Sequence, residues 1–353
     1  MVIDGVDMLP GRADFPRNAW YVGAFSHELG RQPIARKLFG DPVVMFRRED
    51  GTPVALFDRC PHKGMRLSNG GVLIGDNIQC GYHGIQFGPA GKCALIPSGG
   101  VPTSALSVRS YPVAEITGWI WIWAGDPALA DESLIPDHAA LGLTAEGFHA
   151  YFGERLDVGS NYLYSIENLV DATHITFLHH GMIDNGTAAS HPYTIEAEGN
   201  RVTMVRVFKN EEVPPLMAAA AQLPEGRVNR TITLTSYAPN VCVVQTNYEM
   251  PDNPDMPGRD IRLVFGITPA DLKSCYQFVA VAQTFENHYP HIFRDLRVLL
   301  MEDVVAMDDI QRLFDELGPD RVPEASVKSD EGAIRTRRLI AKQIAAERAG
   351  VRA

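Results

Sequence analysis

Four residues constrain this chain more than any others: Cys60-Pro-His62 and Cys80-Gly-Tyr-His83, two half-sites of one thiol and one imidazole each, with seventeen residues between His62 and Cys80. Each half-site needs a tight turn, and Pro61, Gly64, Gly81 and Gly84 let backbone amides fold in toward the sulfurs. A segment carrying both must bring two loops together, as neighbouring loops of a small β unit do.

The mixture inside each half bears on which metal chemistry fits. Zinc fingers usually pair two cysteines in one half and two histidines in the other. In a Rieske [2Fe–2S] centre both cysteines ligate one iron and both histidines the other, so two loops that each give one ligand to each iron match it. Ser98-Gly-Gly-Val-Pro102 is placed to cover such a cluster. With Cys93, Cys242 and Cys275 the cysteines number five at irregular spacings, which argues against a disulfide framework, and Cys93 reads as a small hydrophobe.

From Asn18 to Ala124, short β-like runs alternate with turns: AWYVGAF, PVVMFRREDGTPVALF around Glu49-Asp50-Gly51, and TGWIWIWAG. Gly125 to Leu143 shows neither the helix nor the strand period and reads as a linker, so the domains are expected at 1–125 and 126–353. Beyond it come a helix from Asn161 to about Leu178 and strands within Arg201–Lys209, Arg230–Glu249 and Ile261–Gln283. A helix from about Tyr289 to Leu317 is stopped by Gly318-Pro319, and Ser329 is the expected cap of a last helix that finishes at Gly350. The class is α+β: an N-terminal all-β domain, then a catalytic domain with an antiparallel sheet flanked by helices.

A net charge of −11 with scattered Lys and Arg argues against a nucleic-acid partner, and an acidic surface suits a basic redox partner. No window approaches the roughly 18 apolar residues of a membrane span. The N-terminus also lacks the basic-then-apolar order of a signal peptide. The expectation is a cytoplasmic protein without a membrane partner.

A second constellation is Asn168-Leu-Val-Asp171-Ala-Thr-His174-Ile-Thr-Phe-Leu-His179. Asp171 and His174, three apart, share a face of a helix. His179 lies five beyond His174, so the helix must loosen or end near Phe177 for both imidazoles to reach one ion. A non-haem Fe(II) that activates O2 wants two histidines and one carboxylate with positions left open. Glu302, Asp303 and Asp308 compete for that carboxylate, and each alone reads first as a solvated charge. Asp303 sits beside Leu296, Leu300 and Met307, where a carboxylate needs a partner.

CPHKGMRLSNG (Cys60 to Gly70) and CGYHGIQFGPAGKC (Cys80 to Cys93) resemble the Rieske oxygenase family. NAWYVGAF, IWIWAGDPALAD and the Asn168 to His179 segment extend the likeness, which is nearest to the aromatic O-demethylase branch and thins after Met182. The resemblance implies a [2Fe–2S] cluster on Cys60, His62, Cys80 and His83, and a mononuclear Fe(II) on His174, His179 and Asp303. It implies that Asp171 hydrogen-bonds a histidine of that iron and a cluster histidine of a neighbouring subunit, and that Asn168 lies close to the iron. It further implies a separate reductase or ferredoxin as donor, O2, and a small aromatic substrate, methoxylated acids among the candidates, O-demethylated through hydroxylation in a homotrimer.

Aromatic methyl hydroxylation, ring hydroxylation and N-demethylation use the same ligands and stay open. More remote are a Rieske electron carrier, for which residues up to about Ala124 would suffice, and a zinc-stabilised binding module. Arg230, Tyr237, Asn247 and Phe265 are candidate substrate-lining residues, each equally readable as core or surface. His138, His149, His180, His191, His288 and His291 show no metal-like spacing.

Overall fold

The structure, a computed structural model, describes residues 2–286 and 292–351. His288, His291 and the expected helix start at Tyr289 lie outside them. The chain forms two compact units, one of Arg17–Ile135 with Thr268–Asp271, the other of Met1–Pro16, Pro136–Ile267 and Leu272–Ala353. A short hairpin of β1 (Val2–Ile3) and β2 (Val6–Asp7) opens the latter.

The Arg17–Ile135 unit is all β. Its strands are β3 (Trp20–Phe25), β4 (Ile34–Leu38), β5 (Asp41–Arg47), β6 (Pro53–Phe57), β7 (Val72–Ile74), β8 (Asn77–Gln79), β9 (Gln86–Phe87), β10 (Cys93–Leu95), β11 (Ser110–Tyr111), β12 (Val113–Ile116) and β13 (Trp119–Trp123). They make three antiparallel sheets in the orders β12-β13-β3, β11-β6-β5-β4 and β10-β9-β8-β7. β13 is Trp-Ile-Trp-Ile-Trp and buried throughout, the pattern of a strand covered on both faces. At Gly23 of β3 a Cβ would stand 2.3 Å from Cδ1 of Ile122, so the Ile122 side chain would have to shift to admit one.

The boundary differs from the one expected at residue 125. Trp20 Nε1 donates to the Asp131 carbonyl (2.8 Å), Trp123 Nε1 to the Asp126 carbonyl (2.8 Å), and the Asp126 amide to Asn18 Oδ1 (3.0 Å). These bonds sew residues 126–135 onto the β unit, and the chain leaves it at Ile135.

The second unit contains β14 (His149–Val158), α1 (Tyr162–Leu169), β15 (Thr194–Glu198), β16 (Arg201–Glu211), α2 (Pro215–Ala220), β17 (Val228–Tyr237), β18 (Val241–Glu249), β19 (Arg259–Pro269), β20 (Cys275–Gln283), α3 (Ile292–Leu317) and α4 (Glu331–Arg348). The seven strands form one sheet in the order β14-β20-β19-β18-β17-β16-β15. α1 lies against β18 and β20, α3 against β14, and α4 against β16, which gives the expected α+β class.

Asn161 starts α1 and ties its N-terminus down. Its Oδ1 accepts the Leu163 amide (3.0 Å), while Nδ2 donates to the carbonyls of Ala13 (2.9 Å) and Leu272 (2.7 Å). Gln311 of α3 accepts the Asn161 amide and donates to the Gly11 carbonyl, both at 3.0 Å. Residues 1–16 thus belong with the catalytic unit and not with the β unit that follows them in sequence. Two helix limits also differ from expectation. α1 ends at Leu169, not near Leu178, and α4 is capped at Asp330, with Ser329 inside the preceding 3-10 turn.

Candidate metal centres

The two Cys/His loops are built alike. The Cys60 amide donates to the Met65 carbonyl and the Cys80 amide to the Ile85 carbonyl, both at 2.8 Å. The Cys60 carbonyl accepts from Gly64 (2.9 Å) and the Cys80 carbonyl from Gly84 (3.0 Å). Both glycines take positive φ, 82° and 70°, which closes each loop one residue past its last ligand candidate or two. Gly81 is needed for another reason: a Cβ there would meet the Gly70 carbonyl oxygen at 2.5 Å.

Burial sorts the four donors into two pairs. Cys60 and Cys80 sit inside the β unit's core among Val44, Leu56, Ile78 and Phe87. His62 and His83 are exposed, with ring centroids 4.6 Å apart. Burial holds the Cys60 thiol above its usual pKa, with the neighbouring Cys80 sulfur adding to the rise, while the His62 and Lys63 amides act against it. A tetrahedral zinc site wants all four donors converging on one point, whereas a [2Fe–2S] cluster wants a thiolate pair on one iron and an imidazole pair on the other. The donor set fits the cluster.

The second constellation rests on the early end of α1. After Leu169 the Asp171 carboxylate accepts the Thr173 amide (2.8 Å) and hydroxyl (2.5 Å), an Asx turn that diverts the chain into a 3-10 turn at His174–Thr176. Asp171 and His174 therefore do not share a helix face; they flank this turn. That change of direction brings His179 back beside His174, their rings 5.4 Å apart.

Asp303, buried on α3, completes the group. Its Oδ1 is 3.1 Å from His179 Nε2 and 3.6 Å from His174 Nε2, and it accepts from Asn168 Nδ2 at 2.9 Å. Ligand atoms of His174, His179 and Asp303 all lie within 4.8 Å of one another. The His179 imidazole is also held from behind, with Glu302 Oε2 2.7 Å from its Nδ1, the carboxylate–histidine arrangement that fixes a tautomer for metal binding, and both rings turn Nε2 toward Asp303. Burial lowers the His174 pKa against the pull of Asp303, whereas at His179 burial is outweighed by Asp303 and Glu302, and its pKa rises.

The set suits a mononuclear Fe(II) with open positions. Glu302, weighed only as a rival to Asp303, instead backs His179; its place next to Asp303 was the available signal. The third rival, Asp308, accepts the Gly159 amide at 2.7 Å.

His174, His179 and Asp303 line part of a cavity of about 160 Å³ between α1, the sheet and α3. Leu216, Ile232, Val244, Leu263, Phe265 and Leu296 supply apolar wall, and Asp171 is part of the lining as well. Of the expected lining residues Arg230 and Phe265 are present. Tyr237 and Asn247 are not among those that line it: Arg230, Ile232 and Leu234 of β17 and Thr246 of β18 do, and successive side chains of a strand point to opposite faces. No helix among the described residues is long and apolar enough to cross a membrane.

Residues 19–112 match the Rieske [2Fe-2S] domain family, and residues 158–346 match the Vanillate O-demethylase oxygenase C-terminal domain family. The oxygenase component of dicamba O-demethylase from Stenotrophomonas maltophilia is 29% identical over 348 residues, 93% of this chain and 97% of that protein. The vanillate O-demethylase oxygenase subunit of Pseudomonas sp. strain HR199 is 30% identical, covering 94% and 96%. The crystal structure of dicamba monooxygenase bound to 3,6-dichlorosalicylic acid superposes with a TM-score of 0.87 at 28% identity, covering 96% of this chain and all of that one, and the same protein has been solved with non-heme iron and dicamba. With both domains in one chain and the likeness running along nearly its whole length, the protein belongs to the vanillate O-demethylase family of Rieske oxygenases, the iron–sulfur, non-haem iron monooxygenases that draw electrons from a separate reductase or ferredoxin.

Proposed function

We propose that this oxygenase O-demethylates a small aromatic with a single ring. The observation that carries the reading is the cavity: apolar, about 160 Å³, and lined in part by His174, His179 and Asp303. A core cavity of about 150 Å³ accommodates benzene, so one ring fits here. Iron bound there supplies the activation of O2 that hydroxylates a C–H bond, and an O-methyl group so hydroxylated is a hemiacetal that loses formaldehyde.

In this reading Cys60 and Cys80 hold the buried iron of the cluster and His62 and His83 the outer one, while His174, His179 and Asp303 hold the mononuclear iron. Asn168 steadies the Asp303 carboxylate, and the apolar walls exclude water and press the methoxy carbon toward the iron. Asp171, held by Thr173 just before His174, offers its carboxylate toward a cluster histidine of a neighbouring subunit.

A closed ring of three subunits supplies that neighbour. Phe177, 77% exposed between His174 and His179, and Tyr82, 61% exposed against the His83 ring, are the apolar surfaces such an interface would cover. Five free cysteines suit the reducing cytoplasm.

The test is to reconstitute the protein with iron and a reductase and to screen methoxylated aromatics for formaldehyde. Release in step with O2 uptake is expected. Oxygenated products without formaldehyde would move the reading to methyl or ring hydroxylation.

A further inference from the structure

Taking the demethylation reading as its base, we infer that the cavity selects an uncharged ring and rejects the matching aromatic carboxylate. The reasoning starts from Arg230, the one cationic side chain among the described lining residues. In a cavity that receives an aromatic acid, an arginine in the wall is the natural partner, since its fork matches a carboxylate.

Here the fork is already taken. Nε and an Nη2 hydrogen of Arg230 hold the two oxygens of Glu211 (2.8 and 2.7 Å), Nη2 also reaches Asp184 Oδ1 (3.4 Å), and Nη1 donates to the Ile183 carbonyl (2.9 Å). Four of the five N–H groups are therefore engaged, and the guanidinium face covers the Phe208 ring at 4.6 Å. Arg230 and Asp184 are both fully buried, so water screens this cluster little. Two carboxylates answer one guanidinium, which leaves the group with a surplus of negative charge.

The rest of the described lining brings no second Lys or Arg, and two of its residues are acidic: Asp171, whose carboxylate accepts from Thr173, and Asp295, which pairs with Arg294. The neutral polar group in the strand wall is the Thr246 hydroxyl, which suits a phenol or ether oxygen. A carboxylate entering the cavity would lose its hydration, find one spare N–H, and face fixed negative charge. An uncompensated buried charge is among the costliest features a binding site can carry.

The experiment titrates the iron-loaded holoenzyme by calorimetry, without O2 or reductant, with 2-methoxyphenol, with 4-hydroxy-3-methoxybenzoate, and with the methyl ester of that acid. The first and second differ by the carboxylate, and the ester matches the acid in size without its charge. The phenol and ester are expected to bind, with the acid weaker by about 100-fold or more. Glu211→Gln, which releases one face of Arg230, is expected to recover about tenfold of the acid's affinity. An acid that binds as tightly as the phenol, or failure of all three to bind, overturns the inference. Formaldehyde assays on the same compounds keep the two readings apart. Binding of the phenol with oxygenation but no formaldehyde defeats demethylation and leaves charge selection standing, whereas preferred demethylation of the acid does the reverse.

Discussion

The two candidate metal centres of this chain are assembled on opposite plans. The cluster loops draw four donors from Cys60 to His83, each loop closed by the same pair of backbone hydrogen bonds, so the donors are placed by local chain geometry. The mononuclear group takes His174 and His179 from a turn after α1 and Asp303 from a helix far along the chain, and depends on the packing of α1 with α3. A site built from local turns tolerates loss of distant structure; one built from packed helices feels every change in that packing.

The largest effects should come from removing a donor. Cys80→Ser is expected to abolish the visible absorption of the cluster while leaving one iron per chain, and Asp303→Ala to lose that iron and all turnover while the cluster spectrum stays intact. Loss of both centres in either variant would show that they are not independent.

Asp171→Asn sharpens the comparison, because it removes no metal ligand from either set. It is expected to keep both metals and to reduce the cluster at the normal rate, yet turn over about 100-fold more slowly or worse, since the carboxylate is positioned and not coordinated. A fully active variant, by steady-state assay and by rapid reduction of the cluster, would end the bridging role proposed for it.

Glu302→Gln should give the smallest change. The amide still reaches His179 Nδ1 but offers a weaker partner, so Fe(II) affinity should fall by roughly 10- to 100-fold. Turnover should recover in excess Fe(II), measured as activity against free iron; loss that iron does not restore would place Glu302 elsewhere in the chemistry.

The same contrast governs what the sequence discloses. Cys60, His62, Cys80 and His83 are legible because spacing and residue type carry the whole pattern. Asp303 could be set apart from Glu302 and Asp308 only by its apolar surroundings and by family resemblance. That Glu302 backs His179 depends on the orientation of α3, which no local pattern contains. The expected helix to Leu178 overshot because Asp171, a tolerable helix residue by composition, spends its carboxylate on Thr173 and turns the chain. Nor does any pattern announce that Gln311 and Asn161 capture the carbonyls of Gly11 and Ala13, about 300 and 150 positions away.

That capture sets an order of events during synthesis. Gly11 and Ala13 are made long before Asn161 and Gln311, and the β unit from Arg17 to Ile135 follows as an almost unbroken stretch. Gln311 emerges some 175 residues after Ile135, roughly 10 to 40 s later at ordinary elongation rates of about 5–20 residues per second. Through that interval the second site lacks its carboxylate, so all four candidate cluster donors are made before the second donor set is complete, and a nascent chain stalled before α3 is expected to be unable to hold the second metal.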